Sequence, residues 1–100
     1  MYSKEEVTEK IRSGLKTFKE KFPIKEAILF GSYATDRYTI ASDIDLFILY
    51  EGARREDAFA LCKRHLAIPG LEPHVYSEAE YAEMKQTIDK MTRNGILLFP

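Results

Sequence analysis

Residues 28–50 read ILFGSYATDRYTIASDIDLFILY, and the way two apolar runs are joined inside this stretch decides the fold. Ala27–Phe30 is short, apolar and stopped by Gly31, which suits a first strand. A second apolar run is opened by Asp45 and reads as a strand over Asp45–Tyr50, beginning near Ser42. Between the two lie Gly31-Ser32, ten residues from Tyr33 to Ser42, and Asp43-Ile44-Asp45. Carboxylates at the mouth of a strand are expensive unless something occupies them.

Outward from this stretch, Ser3-Lys4-Glu5-Glu6 has the pattern of a capping box. Val7, Ile11, Leu15, Phe18 and Phe22 follow at spacings of four and three, which predicts one helix with an apolar stripe. Pro23 stops it, because proline disfavours helical geometry in the residue before it. Helical periodicity returns from about Arg54 to Leu66 through Ala58, Leu61, Cys62 and His65, and breaks at Pro69-Gly70. Leu71–Tyr76 reads as a third strand that Pro73 pushes to a sheet edge. Ser77-Glu78-Ala79-Glu80 repeats the capping box and opens a helix with Tyr81, Met84, Ile88 and Met91 on one face. Asn94-Gly95 ends it, and Ile96–Phe99 adds a last short strand. With a short helix expected directly after Gly31-Ser32, the order predicts one α/β (α+β) domain over residues 1–100. Its small mixed sheet is flanked by helices. The helix between strands two and three has the length of a crossover, so those strands run parallel.

Alternation along a strand sends Asp43 and Asp45 out of one face, with Cα atoms roughly 6.5–7 Å apart. Two carboxylates at that separation converge on a divalent cation or repel each other and raise one pKa. Mg²⁺ suits such a pair, since it takes a few carboxylates together with waters and phosphate oxygens. Gly31 lets the backbone approach a ligand closely, and Ser32 adds a hydroxyl donor for a phosphate. Cradle and carboxylates must face each other across one nucleotide, which requires strands one and two to be antiparallel. Singly, each feature has a plainer meaning: a turn at Gly-Ser, a solvated cap at Asp-x-Asp, packed helix residues at Cys62 and His65. The joint order of strand, Gly-Ser, short helix, Ser-Asp-x-Asp and strand is what points to chemistry.

Composition narrows the classes further. The formal net charge of −1 gives no overall field toward nucleic acid or acidic membranes, so strong nucleic-acid binding is not expected. The one cysteine, Cys62, precludes an internal disulfide and suits a reducing, cytoplasmic setting. No apolar run has the length of a membrane span, and the charged start MYSKEEVTEK does not have the pattern of a signal peptide.

Residues 29–50 resemble the signature of the minimal nucleotidyltransferases, small members of the DNA polymerase beta-like nucleotidyltransferase superfamily. That signature is Gly-Ser, ten residues, then Asp-x-Asp, and it is matched at Gly31, Ser32, Asp43 and Asp45, with Phe30, Ser42 and Leu46 as fitting flanks. Thr35-Asp36 stand where many relatives carry a basic residue and glycine. The resemblance implies a polymerase beta palm-like fold and transfer of a nucleoside monophosphate, with AMP from ATP the first choice, to a hydroxyl acceptor. It also implies two Mg²⁺ at Asp43 and Asp45, with Gly31 and Ser32 holding the triphosphate. The family's third carboxylate comes from the strand after the crossover, where LEPHVYS (71–77) offers Glu72. Glu72 then serves as a metal ligand and as base for the acceptor hydroxyl. His74, on the same face, is the alternative ligand, and a solvated edge charge is the plainer reading of Glu72. Minimal members are often encoded beside a HEPN-type helical partner, and some attach AMP to its tyrosine as antitoxins, so such a partner is implied here. Two rivals stand beside this reading: a partner-binding antitoxin without catalysis, and a nucleotidyltransferase acting on small molecules.

Overall fold

The computed structural model describes residues 2–100. Its elements run α1 (Lys4–Phe18), β1 (Ile24–Phe30), β2 (Ile44–Tyr50), α2 (Ala58–Leu66), β3 (Leu71–Ser77), α3 (Glu78–Met91) and β4 (Ile96–Phe99). The strands form one sheet in the order β3-β2-β1-β4. β1 is antiparallel to both β2 and β4, and β2 is parallel to β3. The mixed sheet, the antiparallel first pair and the edge position of β3 are all as the sequence predicts.

Strand alternation divides the core into two layers. Ala27, Leu29, Ile44, Leu46, Ile48 and Leu71 pack on one face against the α1 stripe and against Ala58, Cys62 and Leu66 of α2. On the other face Phe30 and Phe47 meet Ile88 of α3, with Ile28, Leu49, Tyr76, Tyr81 and Met91 alongside. β2 is covered on both faces, which is why its sequence is a continuous apolar run rather than an alternation. α3 lies less deeply than its periodicity suggests. Met84 is 36% exposed and sits at a kink (φ −116°, ψ 17°), outside the apolar face.

Both serine caps form as read. The hydroxyls of Ser3 and Ser77 accept from the N–H groups of Glu6 and Glu80, each at 3.1 Å. The glutamates return the bond to the serine N–H groups at 3.0 and 3.1 Å. Ser77 is wholly buried, because β3 passes into α3 there without a loop.

Three expectations are corrected. α1 ends at Phe18 rather than running to Phe22. The chain turns with Phe22 N–H still donating to the Phe18 carbonyl at 2.9 Å, so Phe22 keeps its spacing and stacks on Phe18 at 4.9 Å while Pro23 leads straight into β1. α2 begins at Ala58, not Arg54. Arg55 N–H donates to the Tyr50 hydroxyl at 2.8 Å, and its guanidinium grips both Asp57 oxygens at 3.0 and 2.9 Å, so that carboxylate does not cap the helix. No short helix follows Gly31-Ser32: residues 31–36 form successive turns, and the left-handed backbone of Asp36 (φ +60°) prevents them from continuing as a helix.

His65 is a packing residue, its Nε2 2.8 Å from the Thr17 hydroxyl and its ring stacked on Phe18. Cys62 is fully buried, and burial pushes its thiol up to about 12. A thiol reagent at pH 8 should therefore modify Cys62 only at the rate of unfolding. Urea titrations should find Ser77→Ala costing about 1–2 kcal/mol and more than Ser3→Ala, since the part-buried Glu80 N–H loses its hydroxyl acceptor and the Glu80 carboxylate loses the Ser77 hydroxyl donor.

Candidate active site

The register of β1 on β2 sets Phe30 opposite Asp45, so Gly31 leaves the sheet directly beside that carboxylate. Gly31 has φ +76°, and a Cβ built there would lie 2.5 Å from Asp45 Oδ2 and 3.3 Å from its Cγ. Only glycine allows this approach and this backbone without strain. The other carboxylate oxygen, Oδ1, lies 3.2 Å from His74 Nε2, a bond in which the ring N–H must donate. His74 in turn stands edge-on to Phe30, with ring centroids 4.9 Å apart. Asp45 is thus held between a glycine backbone and an imidazole that the aromatic layer under α3 positions. Its side chain remains 29% exposed.

Asp43 falls just before β2 and is exposed. It rides on a turn closed by Thr39 N–H to Ser42 Oγ at 2.8 Å and Ser42 N–H to the Thr39 carbonyl at 3.0 Å. Ile44 N–H, donating to the Gly70 carbonyl at 2.8 Å, fastens the next residue to the start of β3. The parallel register places Glu72 opposite Asp45 and His74 opposite Phe47. Glu72 is exposed, and it is His74, one step further along the same face, whose ring reaches back to Asp45. Ser32 is half-exposed, and its carbonyl accepts from Arg37 N–H at 2.9 Å.

Sequence reading misses the groups that brace the loop after Gly31. Lys4, at the start of α1, reaches the Ala34 carbonyl at 3.4 Å and the Asp36 carboxylate at 3.2 Å. The Tyr33 hydroxyl donates to the Tyr2 carbonyl at 3.0 Å, and burial raises its pKa, so it stays a donor. Tyr33 stacks on Tyr38 at 4.2 Å, nearly parallel, and the Tyr38 hydroxyl accepts from Lys4 N–H. These partners are some thirty residues apart in the chain, and no local pattern announces them.

The donor set fits Mg²⁺. Asp43 and Asp45 offer hard carboxylate oxygens, and the missing Cβ at Gly31 leaves room at Asp45 Oδ2. Among the described residues no three His, Cys, Asp or Glu side chains lie together as a group that could hold a metal ion, so Asp43 and Asp45 would hold Mg²⁺ with phosphate oxygens and water making up the rest of its shell. The clamp generates a double-mutant test. Gly31→Ala should cost about 1–3 kcal/mol by chemical denaturation, from the left-handed backbone and the clash together. In an Asp45→Ala background the clash is gone, and the remaining cost should fall to about 1 kcal/mol.

Residues 11–98 match the family model described as nucleotidyltransferase domain. Two proteins of Methanocaldococcus jannaschii, each named "putative protein adenylyltransferase", are 44% and 42% identical over 45 residues, 45% of this chain and 46% of each relative. The matched stretch therefore spans about half the length of these relatives. Among solved structures, that of a "putative nucleotidyltransferase" from Sulfolobus solfataricus superposes with a TM-score of 0.69 at 19% identity, over 94% of this chain and 80% of that one; this is a likeness of fold. With most of its length on the family model, the chain belongs to the nucleotidyltransferase domain family.

Proposed function

We propose that this chain is a Mg²⁺-dependent adenylyltransferase that moves AMP from ATP to a hydroxyl on a protein, with a tyrosine of a HEPN-type helical partner as acceptor and an antitoxin role. The observation that carries the reading is the clamp at the end of β1, where a glycine with left-handed backbone faces a half-exposed carboxylate with no side chain between them. Family membership and the names of the relatives support the same direction.

In this reading Gly31 and Ser32 hold the triphosphate. Asp43 and Asp45 hold Mg²⁺, His74 orients Asp45 through Oδ1, and Oδ2 is left on the Gly31 side. When bound, Mg²⁺ supplies charge neutralisation for the phosphates and for the departing pyrophosphate. The acceptor oxygen attacks the α-phosphorus in line. Its bond to phosphorus forms as the bond to the bridging oxygen breaks, and pyrophosphate leaves. Glu72, level with Asp45 and open to solvent, receives the hydroxyl proton and completes the carboxylate set; His74 is the alternative ligand. The whole chain acts as one domain. No described helix is long and apolar enough to cross a membrane, and a cytoplasmic setting suits both ATP and the buried free thiol of Cys62.

Thermal shift and label transfer test this together. A hundredfold excess of ATP over its Kd should stabilise the protein by about 2.7 kcal/mol with Mg²⁺, and hardly at all with a chelator. Asp43→Asn with Asp45→Asn should abolish that shift and all transfer from labelled ATP while the free protein stays folded. A folded double variant that still responds to ATP would remove the carboxylates from the reading. Glu72→Gln should lower transfer by roughly 10²–10⁴ and leave most of the ATP shift in place, whereas His74→Ala should be tolerated better.

A further inference from the structure

β4 enters the sheet at the end where the clamp lies. Its antiparallel register on β1 sets Ile96 opposite Leu29, so the turn that precedes Ile96 lies beside Phe30 and Gly31. Gly95 fastens that turn to β1. A Cβ built there would lie 2.5 Å from Ile28 Cγ2 and 2.9 Å from the Leu29 carbonyl oxygen. Thr92 ties the same turn to α3, its hydroxyl and its N–H each donating to the Ile88 carbonyl at 2.9 Å. Ile88 is buried against Phe30 and Phe47, on the sheet face that carries Asp45 and His74. The α3–β4 turn therefore shares both its end and its face of the sheet with the clamp. It presents Arg93, which is exposed. Among the described residues no carboxylate pairs with this guanidinium.

We propose that Arg93 holds the β- and γ-phosphates of the nucleotide and the pyrophosphate that departs. The direction follows from the strand order. Across this end of the sheet β3-β2-β1-β4 sets out Glu72, then Asp45, then Gly31, then Arg93. In-line transfer requires the acceptor and the leaving group on opposite sides of the α-phosphorus. With the acceptor hydroxyl at Glu72 and the α-phosphate at Asp45, the outer phosphates run over Gly31 toward β4. That is one further strand spacing, about 4.8 Å, within reach of an arginine side chain. As the bond from the α-phosphorus to the bridging oxygen breaks, that oxygen leaves with the electron pair. The planar guanidinium donates to the phosphate oxygens on which the charge collects. Two other cations are less well placed. Lys90 lies about 200° round α3 from the buried Ile88, and Arg37 belongs to the loop that Lys4 braces from α1, on the opposite face. The assignment rests on the adenylyltransferase reading, because Glu72 and Asp45 set the direction of transfer.

Calorimetric titration in Mg²⁺ with ATP, AMP and pyrophosphate as probes tests this without catalysis. Arg93→Gln should weaken ATP and pyrophosphate by about tenfold or more and leave AMP nearly unchanged, with the melting temperature of the free protein kept. Arg93→Lys, which restores the charge but not the planar fork, should recover part of the loss. Arg64→Gln, an exposed charge on α2 across the sheet, should change nothing. Equal ATP and pyrophosphate affinities in wild type and Arg93→Gln would overturn the assignment and leave the transferase reading standing. A loss carried by Arg37→Gln in place of Arg93→Gln would do the same. Pyrophosphate binding that needs Arg93, yet is untouched by a chelator and by Asp43→Asn with Asp45→Asn, would keep the arginine site and contradict the metal-dependent reading. A wild type that binds neither ATP nor pyrophosphate would overturn both.

Discussion

A Cβ at position 31 would lie 2.5 Å from Asp45 Oδ2, and much of the site follows from avoiding that collision. The two residues meet because β1 and β2 are antiparallel in a register that sets Phe30 opposite Asp45. A slip of one residue would turn Asp45 toward the layer beneath α1 and α2, where an unpaired carboxylate costs several kcal/mol. The hydrophobic pattern of β2 excludes that slip, since Leu46 and Ile48 are wholly buried in that layer. Core packing therefore enforces the geometry of the clamp.

The two helical layers contribute differently. α1 and α2 bury most of the apolar surface, and the N-terminus of α1 also braces the loop after Gly31 through Lys4 and the Tyr33–Tyr38 stack. α3 covers a smaller cluster of Phe30, Phe47 and Ile88. That aromatic layer is what His74 leans on before it reaches Asp45. Each face of the sheet thus stabilises one part of the site, the loop on one side and the carboxylate on the other.

Strand identities, the parallel and antiparallel pairings, both capping boxes and the α1 stripe were legible because each rests on local chemistry or on a period of two or 3.6. What was not legible depends on groups distant in the chain. The short helix after Ser32 fails at Asp36, whose backbone is left-handed (φ +60°) and whose carboxylate, with the Ala34 carbonyl, meets Lys4 from the start of α1. Arg54–Asp57 stay out of α2 because Tyr50 and Asp57 engage Arg55 first. Phe22 kept its apolar spacing in a tight turn, where periodicity alone cannot tell helix from bend. In the site, Gly31 and Asp45 were readable from spacing. The bond from His74 to Asp45 depends on a side chain reaching back along β3, which register alone does not state.

The unequal treatment of the two aspartates explains how a carboxylate pair persists at a strand mouth. Were both drawn in, their repulsion would add to desolvation and destabilise the end of β2. Were both left on the turn, neither would be held for a ligand. Here Asp43 stays exposed ahead of the strand, where water screens it. Asp45 is taken partly out of solvent, bonded by His74 and flanked by the Gly31 backbone. One oxygen donor is thereby preorganised, which lowers the ordering cost of binding. The other sits on a turn and can adjust to what arrives. The arrangement keeps the free chain folded with two carboxylates at one strand mouth, a negative charge that a cation would offset in the proposed function.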